Sequence, residues 1–300
     1  MGDETDERMK FIPSVLPDVE VWVFIGASKV EHGKTSKTDT SSYIEKFTDG
    51  VTVVNNGIRG FNTEAVLGKR KVRRKRVDMV GDALKGPYDG MLVDVGVSDV
   101  MRGWSSEKTM KNYMEMYLRA YVHGAGSDYG AVLDVLKELD SAVAKEKNVE
   151  RKKVLVWIKE TYNKVVKEHG TEERGRPMKR VVFLGISPWG TRKKWKWTEK
   201  KQEKTHYNNR LLGVVAEELN GIFEDGPEVQ VAQVYDDLKS PEDGNELHVP
   251  YSADGLHLKA AGRKATAAAI VEQCFEERKN ADLSGVLGRN KRKGPQRMRR

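Results

Sequence analysis

The chain has 300 residues, 38% apolar and 33% charged, with a net charge of +8 at pH 7. It is long enough to bury a sizeable core, and no apolar run approaches the ~20 residues that a membrane-spanning helix needs. Its single cysteine, Cys274, excludes an intrachain disulfide and fits a reducing compartment.

Residues 1–18 read as a leader, charged at its start and without the apolar stretch of a secretory signal. VWVFIGAS at 21–28 is a buried strand running into a tight turn, and SSYIEKF at 41–47 is a short helix capped by serine or threonine. VTVVNNG at 51–57 is a second strand, and FNTEAVL is a helix with Asn62 or Thr63 near its cap. A basic run, KRKVRRKR at 69–76, leads into the helical spacing of VDMVGDALKG. GMLVDVGVSDV at 90–100 supplies a third strand and its exit loop.

A long helix is expected from about 106 to 122, then a glycine-rich break at 123–130, then a helix with apolar residues at 132, 133, 136, 139 and 143. In 150–170, VLVWI alone resembles a strand, but Val154, Leu155, Ile158, Tyr162, Val165 and Val166 recur at steps of three and four, which predicts a helix stopped by Gly170. VVFLGI at 181–186 is the fourth strand, and 187–206 shows almost no core pattern, with His206 and Asn208 capping or flanking the helix 208–221. VQVAQVYDD at 229–237 is the fifth strand, followed by an irregular loop and a closing helix from Ala260. The strand–helix alternation predicts a parallel sheet with helices on both faces and a site at the carboxyl ends of the strands. The expected organisation is a leader over 1–18, one domain over 19–280 with insertions near 120–150 and 187–206, and a disordered basic tail over 281–300.

The positive charge is local. Seven basic residues and no acidic ones lie between Arg289 and Arg300, and the rest of the chain carries only +1. A polyanion such as nucleic acid is one partner that such runs fit, and a solvated surface is the other reading. Three readings suit 187–206, where Trp189, Trp195 and Trp197 interleave with Lys194, Lys196 and other cations. It is a loop whose tryptophans pack on the body, a lid over a site, or a polyanion contact. An intracellular, cytoplasmic protein is expected, and a tail this basic also leaves a nuclear address open.

The strand ends carry Gly26-Ala27-Ser28, Asn55-Asn56-Gly57-Ile58-Arg59-Gly60 and Gly96-Val97-Ser98-Asp99, and a late loop carries Asp254-Gly255-Leu256-His257. A phosphate-binding loop is excluded, because Gly26-x-Ser28-Lys29 is too short, and the dinucleotide fingerprint is absent after the first strand. No clustered Cys/His spacing suits zinc. Asp94 and His248 have no assigned pairing.

In this order the four segments resemble the four blocks of the SGNH/GDSL hydrolase superfamily. The family's Gly-Asp-Ser stands here as Gly26-Ala27-Ser28, and its Asn-x-Gly-x-x-Gly as Asn55 to Gly60. Its Gly-x-Asn-Asp stands as Gly96 to Asp99, and its Asp-x-x-His as Asp254 to His257, the fullest match of the four. The resemblance implies a three-layer α/β/α sandwich with a five-stranded, mainly parallel, flavodoxin-like sheet. It implies Ser28 as nucleophile, His257 as base and Asp254 as the carboxylate that orients the imidazole. The oxyanion donors would be the N–H groups of Ser28 and Gly57 together with Ser98, with Gly26, Gly60 and Asp99 as supports. It implies no metal or cofactor, and a small-molecule or glycan ester as substrate. Ala27 replaces the family's aspartate, and Ser98 replaces the asparagine that donates to the oxyanion. Loss of one such donor costs about 2.7–4 kcal/mol of transition-state stabilisation. The alternative reading is therefore a catalytically weak module of this fold that binds a polyanion.

Overall fold

Among the described residues five short strands, the inner three buried on both sides, set the architecture. The computed structural model describes residues 19–26, 39–58, 61–72, 76–125, 129–170, 175–189, 198–241, 247–252 and 257–275. Strands β1 (Glu20–Gly26), β2 (Val51–Asn55), β3 (Gly90–Asp94), β4 (Arg180–Leu184) and β5 (Glu228–Ala232) form one sheet in the order β2-β1-β3-β4-β5, and every neighbouring pair is parallel. The register pairs Trp22 with Gly90 and Gly90 with Arg180.

The period of two sorts the strand residues cleanly. Val23, Ile25, Met91, Val93, Val181 and Phe183 join one core, and Trp22, Phe24, Leu92, Val182 and Leu184 join the other. Among the described residues ten helices flank the sheet: α1 (Thr40–Phe47), α2 (Thr63–Val66), α3 (Met79–Leu84), α4 (Val97–Met101), α5 (Ser106–Ala125), α6 (Tyr129–Lys145), α7 (Val149–His169), α8 (Glu199–Ile222), α9 (Tyr235–Leu238) and α10 (Ala260–Cys274). The molecule is a three-layer α/β/α sandwich. Its thicker layer contains α3, α5, α7 and α8, and its thinner one contains α1 and α10.

Chain direction explains that imbalance. Only the connection β1 to β2 steps one way along the sheet, and the later ones step the other way. Right-handed crossovers then force the connections of opposite step onto opposite faces. The thinner layer is completed by α10, whose buried Ala265, Ala267, Ala268 and Ala269 let it sit close to its neighbours. The far end of α10 is fixed where Arg180 donates to the Cys274 carbonyl at 3.1 Å and Phe275 packs on Trp22, their ring centres 4.9 Å apart.

Several element boundaries differ from the sequence reading for identifiable reasons. The cap of α1 is Asp39, which accepts from Ser42 N at 2.6 Å, rather than a serine or threonine. Asn62 caps α2 through Ala65 N, as expected. The exit loop of β3 contains a helical turn, α4, and α5 continues to Ala125, into the expected break. The ambiguous 150–170 segment is helical as α7, which also buries Trp157. β5 stops at Ala232, because its partner β4 ends at Leu184 and nothing pairs with the residues beyond; 235–238 is instead the helix α9. α8 begins at Glu199, nine residues before the expected start, with Thr198 as cap. His206 and Asn208 are therefore interior residues of a helix, not caps: His206 faces the Tyr235 ring and Asn208 is fully buried.

Leu92 is fully buried in the central strand. Leu92→Ala should lower the unfolding free energy by about 2–5 kcal/mol, read by urea denaturation, with the native circular dichroism retained.

Candidate functional site

The strand order reverses between β1 and β3, because the chain leaves these neighbours in opposite directions. At such a point the two exits diverge and leave a crevice at the carboxyl edge. β1 ends there at Gly26, in register with Asp94, the last residue of the central strand β3.

The exit of β2 is tied to β1 by its backbone. Asn56 N donates to Phe24 O at 2.8 Å and Ile58 N to Gly26 O at 2.9 Å. Gly57 lies buried between these two anchors. Its N–H donates to the side-chain oxygen of Asn55 at 3.1 Å, an Asx-type turn two residues long.

The exit of β3 turns sharply at Gly96, whose φ is +99°, a conformation that favours glycine. A Cβ at this position would stand 2.8 Å from the Tyr113 hydroxyl and 2.9 Å from Ile186. Tyr113 itself donates to Val95 O at 2.8 Å, and burial, together with Asp99 and Asp94, holds its phenol well above the usual range. α4 follows directly, with Ser98 half-buried in its first turn and Asp99 completely buried beside it.

Asp99 reaches across to α2. Its carboxylate accepts from the Thr63 hydroxyl at 2.8 Å and from Thr63 N at 3.3 Å. The Thr63 hydroxyl in turn accepts from Asn112 Nδ2 at 2.8 Å, and the Asn112 oxygen accepts from Lys69 Nζ at 2.9 Å. Lys69 also pairs with Glu115 at 2.6 Å, as does Lys164 at 2.8 Å. Burial lowers the Lys69 ammonium against the pull of Glu115. Asp99 is pushed up to about 6 by burial, opposed by the bonds from Thr63. Lys69, the first residue of the basic run, thus turns inward to a polar network, and Arg76 donates to the Lys69 carbonyl.

Beyond β4, Ile186 is gripped at both backbone polar groups by the Asn209 carboxamide, at 2.6 and 3.0 Å. Trp189 is fully buried in a small cluster with Val97, Val100 and Ile186. For that tryptophan, packing on the body is the observed arrangement.

The late loop returns through an antiparallel bridge of Ser252 with Leu258, and the Ser252 hydroxyl donates to the His257 carbonyl at 3.0 Å. His257 stands just ahead of α10, partly exposed. Since the other end of α10 reaches Arg180 and Trp22 at the amino ends of β4 and β1, the entrance of this helix lies toward the opposite edge. His248 packs edge-on against Tyr251, with centres 5.0 Å apart.

Of the residues singled out in the sequence, Gly26, Gly57, Ser98, Asp99 and His257 are described here. Ser28, Gly60, Asp254, Lys194, Trp195, Lys196 and Trp197 lie outside the described residues, as does the tail. Thr63, Asn112 and Lys69 emerge as parts of the site's surroundings only through contacts far apart in sequence. Among the described residues, no group of three or more His, Cys, Asp or Glu side chains gathers to hold a metal ion, and no helix is long and apolar enough to cross a membrane.

No protein-family model and no curated protein sequence matches the chain. Solved structures do match in fold. A Bacteroides fragilis protein assigned as an acylhydrolase is 12% identical, with 89% of this chain and 91% of that one covered and a TM-score of 0.50. A GDSL-like lipase of Bacteroides thetaiotaomicron is 12% identical, with 89% and 93% covered and a TM-score of 0.49. An acetylxylan esterase of Geobacillus stearothermophilus is 17% identical, with 87% and 97% covered and a TM-score of 0.45. At these identities the likeness is one of fold.

The buried carboxylate gives a pH signature. A raised folded pKa means that Asp99 favours folding below its unfolded value near 3.8 and that this contribution is lost as pH rises through about 6. The stability of the native protein relative to Asp99→Asn should therefore fall by about 2 kcal/mol between pH 4 and pH 7, and be flat above that, in urea titrations across the range. An equal difference at every pH would mean that Asp99 titrates normally.

Proposed function

We propose that the chain hydrolyses carboxylic esters, O-acetyl groups among them, through an acyl-enzyme on Ser28. The observation that supports this most is the convergence of the Gly26, Gly57 and Ser98 segments at adjoining carboxyl ends of β1, β2 and β3, the edge at which this fold binds ligands. Ser28 follows the end of β1 by two residues. A fold neighbour assigned as an acylhydrolase gives the architecture a precedent for this chemistry.

In the proposed reaction His257 takes the Ser28 proton as the hydroxyl oxygen bonds to the ester carbonyl carbon. Asp254 orients the imidazole and stabilises its charged form. The negative charge that forms on the carbonyl oxygen is met by the N–H groups of Ser28 and Gly57 and by the Ser98 hydroxyl. Collapse of this intermediate breaks the bond to the alcohol, which leaves with the proton held by His257. Water, deprotonated by the same imidazole, then attacks the acyl group, releasing the acid and regenerating the Ser28 hydroxyl.

A fluorophosphonate probe and p-nitrophenyl acetate test this directly. The native chain should take up one probe molecule and turn over the ester, and Ser28→Ala should do neither. His257→Ala should slow turnover by about 10²–10⁴-fold. A folded native chain that is inert to the probe overturns the assignment of Ser28.

A further inference from the structure

Asp99 and Thr63 join two segments that the fold otherwise keeps apart. Thr63 opens α2, six residues after Gly57, and Asp99 follows Ser98 in α4. Between Gly57 and Thr63 the chain is pinned at Ile58, by its bond to Gly26 O, and at Phe61 and Asn62, which are buried. Between Ser98 and Asp99 there is no intervening residue. A displacement at the Asp99–Thr63 contact therefore acts directly on Ser98 on one side, and on the other on the segment that begins at Phe61 and Asn62, close in sequence to Gly57.

The contact is also over-determined. Both carboxylate oxygens of Asp99 accept from the same residue, once from its side chain and once from its backbone. The Thr63 hydroxyl has its proton committed to Asp99, because its other partner, Asn112 Nδ2, can only donate to it. The Asn112 carboxamide is oriented in turn by Lys69, which donates to its oxygen. Each member thus fixes the orientation of the next, from the pair of Lys69 with the buried Glu115 to Asp99.

We infer that Asp99 and Thr63 are a positioning pair that sets the spacing of the Gly57 and Ser98 oxyanion donors, held in orientation by Asn112. The inference rests on the ester-hydrolase reading for its effect on rate and on the hydrogen-bond geometry alone for its effect on the two loops. Neither residue touches the substrate in this scheme. Their contribution is to hold the donors where the transition state needs them, so their loss acts on kcat more than on KM.

Thr63→Val keeps the side-chain shape and removes the hydroxyl, and Thr63→Ser keeps the hydroxyl. In the full chain, Thr63→Val should lower kcat for p-nitrophenyl acetate about tenfold to a hundredfold, with KM within about twofold, and Thr63→Ser should recover most of the loss. Amide hydrogen exchange at Gly57 and Ser98 should quicken in Thr63→Val and not in Thr63→Ser. Should Thr63→Val fail to fold, Asp99→Asn, which puts an NH2 against the Thr63 N–H, carries the same expectations. A folded Thr63→Val with native kcat and native exchange at both positions overturns the positioning pair while leaving the esterase reading intact. A native chain inert to both ester and probe overturns the esterase reading. The pair is then judged by exchange alone, and unchanged rates at Gly57 and Ser98 overturn it as well.

Discussion

Everything about this molecule's candidate site follows from the pairing of β1 with β3. Both strands are buried on both faces and run parallel, so neither can be joined to its neighbours by a tight turn. Each must send its chain across a face of the sheet and back. Because right-handed crossovers tie face to direction, β1 departs to one side and β3 to the other. The carboxyl edge between them is the place where the two connections separate, the crevice at which sheets of this kind bind ligands.

Holding such a crevice open and in shape has an energetic cost, and Asp99 shows where it falls. A fully buried carboxylate whose pKa has risen to about 6 is destabilising when ionised at neutral pH, even with two bonds from Thr63. An apolar residue in its place would relieve that cost but would leave the Thr63 hydroxyl and N–H without their acceptor, itself a penalty of about 1–3 kcal/mol per group. The neighbouring helix supports the arrangement at two successive positions. Asn112 of α5 serves Thr63, and Tyr113 of α5 serves Val95 at the exit of β3. One turn of α5 thus braces both the strand exit and the contact that joins it to α2.

The sheet was legible in the sequence because its signal is local. Runs such as VWVFI and VVFL are apolar at every position, as two-sided burial requires, and the order of strands and helices then dictates a parallel sandwich. Boundaries were less legible where a partner decides them. Nothing in VQVAQVYDD says that β4 will end level with Ala232. The first two turns of α8 were missed for the opposite reason. Residues 199–206 are strong helix formers with few apolar residues, so a search for periodic hydrophobicity passes over them, although Glu, Lys and Gln favour the helix intrinsically. In the site, Gly96 to Asp99 was readable as the exit of a strand, but the roles of Thr63, Asn112 and Lys69 were not. Their contacts span 36 to 49 residues, and Lys69 looks like one more cation of a basic run.

The hydrogen bond from Gly57 to Asn55 bears on how the proposed chemistry would draw on this arrangement. An N–H already engaged at 3.1 Å by a neutral carboxamide gains little by exchanging it for the neutral carbonyl of a bound ester. The exchange becomes favourable as charge develops on that oxygen, since hydrogen bonds to an ionised acceptor are roughly twice as strong as neutral ones. An internal acceptor of this kind therefore withholds the donor from the ground state and yields it to the transition state, which is the direction in which binding accelerates a reaction. It also places a premium on the spacing of the competing groups. The oxyanion must reach Gly57 and Ser98 together to displace Asn55, and the shorter serine side chain at position 98 leaves less reach than an asparagine would. On the proposed mechanism a serine at position 98 therefore makes the link through Asp99 and Thr63 more consequential, because a short donor tolerates less displacement than a long one.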